Sequence, residues 1–155
     1  MSEHLTMELV GDSGLIIRRS FKAKPEAVFR AHMEPELLRQ WCTGPDGWKM
    51  TKCELEAKPG GAIHYAWEND EGHGFSLTGE FVEIDAPHRT VHIERMHLPD
   101  PTPDNRIETT FEAKGVGTLI TMRMQLPDAQ TREQMLASGM DAGMEISYQR
   151  LDKLT

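Results

Sequence analysis

Long apolar runs are missing from this sequence. No stretch approaches the roughly 20 consecutive apolar residues that a membrane-spanning helix needs, so no membrane association is expected. The N-terminus, MSEHLTMELVGDSG, lacks a basic start followed by an apolar segment, and no signal peptide is read there. Cysteine is scarce. Cys42 and Cys53 are too few for a disulfide framework, and beside ten methionines they point to a reducing, cytoplasmic setting. Positive charge is in deficit: 17 Lys and Arg stand against 25 Asp and Glu, a formal charge of −8 that repels phosphate backbones and argues against nucleic-acid binding. Internal repeats, low-complexity tracts and linkers are also lacking. What remains is a chain of 155 residues, 38% hydrophobic and 27% charged. That composition is globular and long enough to bury a core without metal or disulfide staples, and residues 1–155 read as a single domain.

Two periodicities divide the chain. Leu15 to Phe21 reads as a strand after the Asp12-Ser13-Gly14 turn, with Leu15, Ile17 and Phe21 on one face. Pro25 then opens a short helix carrying Ala27, Val28, Phe29 and Ala31. Pro35 opens a second, with Leu37, Leu38 and Trp41 at helical spacing, and Gly44-Pro45-Asp46-Gly47 stops it. From Trp48 to Leu126 the period is two: Cys53, Leu55 and Ala57; Ile63, Tyr65 and Trp67; Phe75, Leu77, Gly79 and Phe81; Val91 and Ile93; Ile107, Thr109 and Phe111; Ile120, Met122 and Met124. Clean alternation means one wet face and one buried face, as in an antiparallel sheet. The proline-rich stretch Leu98 to Asn105, LPDPTPDN, reads as a surface loop between two strands.

Asp128 is placed to cap a final helix. From Ala129 to Leu154 the apolar positions Leu136, Met140, Met144, Tyr148, Leu151 and Leu154 step by four or three and predict one continuous helical face. Gly139 and Gly143 interrupt that helix at about 1 kcal/mol each relative to Ala, which implies close approach of sheet backbone or of a ligand; tight packing on the sheet is the reading preferred for Gly143. Burying both apolar faces at once gives an α+β fold: a curved antiparallel β-sheet wrapped around a long C-terminal helix, with two short helices after the first strand.

The order of these pieces resembles the START-like, helix-grip superfamily called SRPBCC, and within it the branch named after the activator of the heat shock protein 90 ATPase. Arg19, Phe21, Ala23, Pro25, Glu26, Val28 and Phe29 match the family's opening. Pro35, Leu38 and Trp41 match its second short helix, and Glu56, Lys58, Gly60 and Gly61 its turn into a strand. Gly79, Phe81, Glu83, Ile84, Pro87 and Arg89 match a Gly-x-Phe-x-Glu-Ile hairpin, Gly117-Thr118 the start of the last strand, and Gly143, Leu151 and Leu154 the closing helix. Three positions depart from the pattern: Met144 and Cys42 stand where the family has Trp, and Tyr148 where it has Leu. The resemblance implies a cavity between sheet and helix. It also brings a possible chaperone partner and a cyclase or dehydratase type of enzyme as alternative functions.

The inner-face set expected around such a cavity is Tyr65, Trp67, Phe75, Leu77, Phe81, Ile120, Met122, Met124, Met140, Gly143, Met144 and Tyr148. Met adapts to irregular space, and Tyr65 and Tyr148 offer hydroxyls as polar handles. An ordinary packed core uses the same residue types. Arg19 falls on the apolar side of its strand, to meet an anionic ligand or to snorkel to the rim. Glu94, by parity with Val91 and Ile93, is expected to face outward. His92 and His97 are five apart and point to opposite faces of a strand. No paired-Cys spacing, nucleophile elbow or phosphate loop appears. No catalytic residue, metal site or cofactor is assigned, and the leading expectation is a protein that binds a small apolar ligand.

Overall fold

Alternation of period two builds one antiparallel sheet. The computed structural model describes residues 4–97 and 102–155. Its elements run β1 (Thr6–Val10), β2 (Gly14–Phe21), α1 (Pro25–Met33), α2 (Pro35–Trp41), β3 (Trp48–Leu55), β4 (Ala62–Asn69), β5 (Gly74–Asp85), β6 (Arg89–His97), β7 (Asn105–Lys114), β8 (Gly117–Gln125), α3 (Ala129–Ala137) and α4 (Met140–Leu154). The eight strands lie in the order β1-β2-β8-β7-β6-β5-β4-β3, every neighbouring pair antiparallel. Register shifts between Met50 and Lys52 and between Phe81 and Glu83 mark bulges, the device that bends a sheet. The α+β helix-grip architecture read from the sequence is the architecture of the molecule. No helix among the described residues is long and apolar enough to cross a membrane.

Three features depart from the sequence reading. β1 was not anticipated: it is an edge strand whose residues are almost all exposed, so it carries little apolar signal. The C-terminal helix is two helices. Gly139 sits at φ +80°, a left-handed conformation that ends α3 and precedes α4, although the apolar spacing runs straight through the break. Of the proline-rich loop, residues 98–101 lie outside the described residues, and Asn105 is already the first residue of β7.

The main core joins the end of α4 to the two short helices and to the middle of the sheet. Phe21, Val28, Phe29, Leu38, Trp41, Phe111, Ile120, Tyr148 and Leu151 are buried together. The Trp41 indole donates to the Ala31 carbonyl at 2.9 Å, and the Phe21 and Tyr148 rings meet edge-on at 5.2 Å. Arg19 is buried but neither snorkels nor waits for an anion. Its guanidinium donates to Glu145 through Nε at 3.3 Å and NH2 at 3.0 Å, and to Asp152 at 3.2 Å, so β2 is tied to both halves of α4. Burial acts against the Arg19 charge, yet its two carboxylate partners outweigh that and raise its pKa. Glu145 is pulled to about 2: burial would raise it, but bonds from Arg19, the Leu5 N–H and Gln149 outweigh that. α3 is lighter: Asp128 caps it by accepting from the Thr131 N–H at 2.7 Å, and none of its residues is buried.

Candidate functional site

The N-terminal half of α4 meets the sheet at β2, β7 and β8, through Glu145, Met140 and Met144, and stands clear of it elsewhere. Below it lies a cavity of about 590 Å³. Strands β4 to β8 supply the floor, and Met140, Gly143, Met144 and Tyr148 supply the roof. One wall is a row of aromatic rings: Trp48 to Phe75 at 5.6 Å, Phe75 stacked on Trp67 at 5.0 Å, and Trp67 edge-on to Tyr65 at 6.0 Å. The rim is the α2–β3 connection, fixed from two sides. Arg150 of α4 donates to Thr43 Oγ1 at 2.7 Å, to the Gly44 carbonyl and to Asp46 at 2.9 Å, and Ser147 accepts from the Gly44 N–H at 2.9 Å. From the sheet side the Trp67 indole donates to the Cys42 carbonyl at 2.7 Å.

Of the inner-face residues read from the sequence, Tyr65, Trp67, Phe75, Leu77, Phe81, Met122, Met140, Gly143, Met144 and Tyr148 line this cavity. Ile120 and Met124 do not; they are buried in the two core clusters on either side. Gly143 is not pressed against anything. A Cβ there would find no atom within 4 Å, so the tight packing expected of it is replaced by open space.

The polar part of the site lies where sequence parity misled. On β6 it is Thr90, His92 and Glu94 that face the cavity, and fully buried Val91 occupies the other face. The register shows the same arrangement: His92 stands between Phe81 and Ile107, Glu94 between Gly79 and Asn105, and Thr90 opposite Thr109. The expectation that Glu94 points outward is therefore corrected. His92 Nε2 and Glu94 Oε1 are 2.8 Å apart, with side chains 18% and 17% exposed. Because an ionised carboxylate only accepts, this contact places a proton on Nε2, and in the neutral imidazole Nδ1 is then an acceptor. Among the described residues Nδ1 has no partner, and neither do the hydroxyls of Tyr65 and Tyr148.

The surrounding groups are held neutral. Burial raises the Tyr148 hydroxyl, with the Cys42 thiol adding to it, and burial raises Tyr65, with Cys42, Cys53 and Glu94 adding to it. Burial likewise pushes the Cys42 thiol up to about 12, so no thiolate nucleophile is present at neutral pH. His32, at the cavity's inner end, is lowered to about 4 by burial despite its bond to the Val28 carbonyl at 2.8 Å, and its Nε2 is buried without a partner. His88, in the turn before β6, and His92 stand four apart and Glu94 and His97 three apart, spacings that converge on a helix but spread along extended backbone. Among the described residues no group of three His, Cys, Asp or Glu is placed to hold a metal ion. The site thus offers apolar and aromatic walls, one accessible imidazole acceptor set by a carboxylate, a second and buried imidazole acceptor at His32, and neutral hydroxyls.

Comparison with known proteins agrees with the fold. In structure and sequence the chain is similar to the crystal structure of a protein from Rhodobacter sphaeroides, at 30% identity and a TM-score of 0.89 over 96% of each chain. It is similar to a Staphylococcus epidermidis protein solved in solution, at 25% identity and a TM-score of 0.82, covering 96% of this chain and 92% of that one. In fold it is also like the AHSA1-like protein from Aeromonas hydrophila, at 20% identity and a TM-score of 0.76 over 91% of this chain and 93% of that one. No curated protein matches the sequence. The family model described as Activator of Hsp90 ATPase homolog 1-like protein matches residues 22–155, and the chain belongs to that family, within the SRPBCC superfamily.

Proposed function

We propose that the protein binds a largely apolar small molecule in the cavity between its sheet and α4. The observation that carries this reading is the cavity itself. Some 590 Å³ is left open where the other half of the same helix packs solidly, and its lining combines flexible methionines with a flat aromatic row. Ligand pockets typically fall at about 300–1,000 Å³ with mostly apolar walls and few polar groups. A Nile red titration should saturate at one site per chain. Met144→Trp, which puts a larger ring into the roof, should weaken uptake about tenfold while costing no more than about 3 kcal/mol of stability. A protein that takes up no dye, or a Trp variant that binds better than its parent, would contradict the reading.

Catalysis is a second reading with an observation behind it, since His92 and Glu94 place an ionisable pair inside the cavity. A chaperone partner, which the family name brings to mind, would call for a contiguous exposed apolar face. The large apolar residues exposed among those described are Leu9 and Val10 on β1, Val82 at the β5 bulge and Val116 in the β7–β8 turn, and they form no single stretch along the sheet.

A further inference from the structure

Resting on the cavity reading above, we propose that the ligand carries a hydrogen-bond-donating hydroxyl, a phenol or enol on a flat apolar ring system, and that His92 Nδ1 receives it. The inventory of the cavity argues against acceptor-only, anionic and cationic headgroups in turn. In the neutral imidazole Nδ1 is an acceptor, because Nε2–H donates to Glu94 at 2.8 Å. An acceptor that loses water when an apolar ligand fills the cavity is costly, and a donor on the ligand relieves that cost. A ketone or ester brings acceptors alone. It would bond to a tyrosine hydroxyl and leave Nδ1 unmet.

An anionic headgroup would find Glu94 facing it and, among the described residues of the lining, no free cation. Arg19 is engaged by Glu145 and Asp152, and Arg150 by Thr43, Gly44 and Asp46. An ammonium would be drawn to Glu94, but in competition with the imidazole, and it would be stripped of water against aromatic walls. A hydroxyl meets none of these objections. The stacked Trp67 and Phe75 rings, 25° from parallel, give a planar ring a flat surface to lie on. Gly79 stands directly across from Glu94 on β5, so no side chain from that position crowds the pair. Glu94 acts here as a positioning residue: it fixes which imidazole nitrogen is the acceptor.

Calorimetry with 2-naphthol and 2-methoxynaphthalene tests this, because the two share a ring system and differ in the donor. The full chain should bind 2-naphthol about tenfold more tightly, the value of one well-placed hydrogen bond. His92→Phe, which keeps a planar ring beside Phe81, should bring the ratio to about one. Glu94→Gln should lower the ratio without abolishing it, since an amide can accept from Nε2 or donate to it and so frees the tautomer. Should His92→Phe fail to fold, the Glu94→Gln ratio decides. Equal affinity for the two probes in the parent, or an unchanged ratio in either variant, overturns the proposal. So does tighter binding of 2-naphthoate or 2-naphthylmethylammonium than of 2-naphthol. If neither naphthol nor its ether binds, the apolar-cavity reading falls first, and the Nile red titration would fail with it.

Discussion

At the scale of single residues, His32 is where mild acid should first be felt. Burial lowers its pKa to about 4, against 6.5 for a free imidazole, so in that interval the unfolded chain takes up a proton that the folded chain refuses. Stability is therefore full above about pH 6.5 and falls as the pH drops toward 4, by at most about 3 kcal/mol. Urea titrations should show the decline beginning between pH 6.5 and 5. His32→Phe, which preserves ring contact with Trp41 and Phe111, should flatten it; an unchanged slope would place the titration elsewhere. Glu145 acts lower down. Its folded pKa of about 2 lies below the ordinary 4.5, so its contribution is present above pH 4.5 and fades toward pH 2. Its partner Arg19 is the more severe point of failure. Arg19→Met leaves two carboxylates without their cation and should cost about 3–5 kcal/mol in chemical denaturation. A loss below about 1 kcal/mol would show that β2 and α4 hold together without that network.

At the scale of elements, the two glycines of the C-terminal region should respond in opposite directions. Gly139 is left-handed, so Gly139→Ala should cost about 1–2 kcal/mol. Gly143 is helical and a Cβ there meets nothing, so Gly143→Ala should gain up to about 1 kcal/mol. Equal effects at the two sites would mean that α3 and α4 are one helix after all. The break was not legible from apolar spacing, because Leu136 and Met140 both turn toward the same core cluster from separate helices. Its local signal was Ser138-Gly139, ordinary helix-stop chemistry that the periodicity masked. The strands were legible wherever one face is buried and the other wet, hence the agreement from β2 to β5 and at β7 and β8. β1 escaped because an exposed edge has no such contrast. β6 inverted the rule: apolar Val91 is buried on one face, while His92 and Glu94 turn into a cavity instead of a packed core. Local rules tend to fail at functional sites. The polar half of the candidate site was unreadable for that reason, whereas its apolar half followed from alternation alone.

At the scale of the whole molecule, α4 does two jobs along its length. Its C-terminal half closes the core: Leu151 is fully buried, and Leu151→Ala should cost about 2–5 kcal/mol in a denaturant titration. A neutral result would mean that the helix is not seated against α1, α2 and β2. Its N-terminal half meets β2, β7 and β8 on one side and roofs open space over the rest of the sheet, while the α2–β3 connection is anchored by Arg150 and Ser147. The same helix thus supplies rigidity at one end and room at the other, a division that suits a binding protein whose fold must not depend on its ligand. The methionines report on it directly. Met33, Met122, Met140 and Met144 line the cavity, whereas Met7 is on the edge strand and Met50, buried across the strand from Trp67, does not line it. The decisive measurement is a two-dimensional NMR titration of methyl-labelled methionine protein with naphthalene. Saturable shifts confined to those four methyls, with Met7 and Met50 still, are the expected result. Shifts that fall on Met7 or Met50 instead, or none at all at saturating naphthalene, would contradict a ligand site between the sheet and α4.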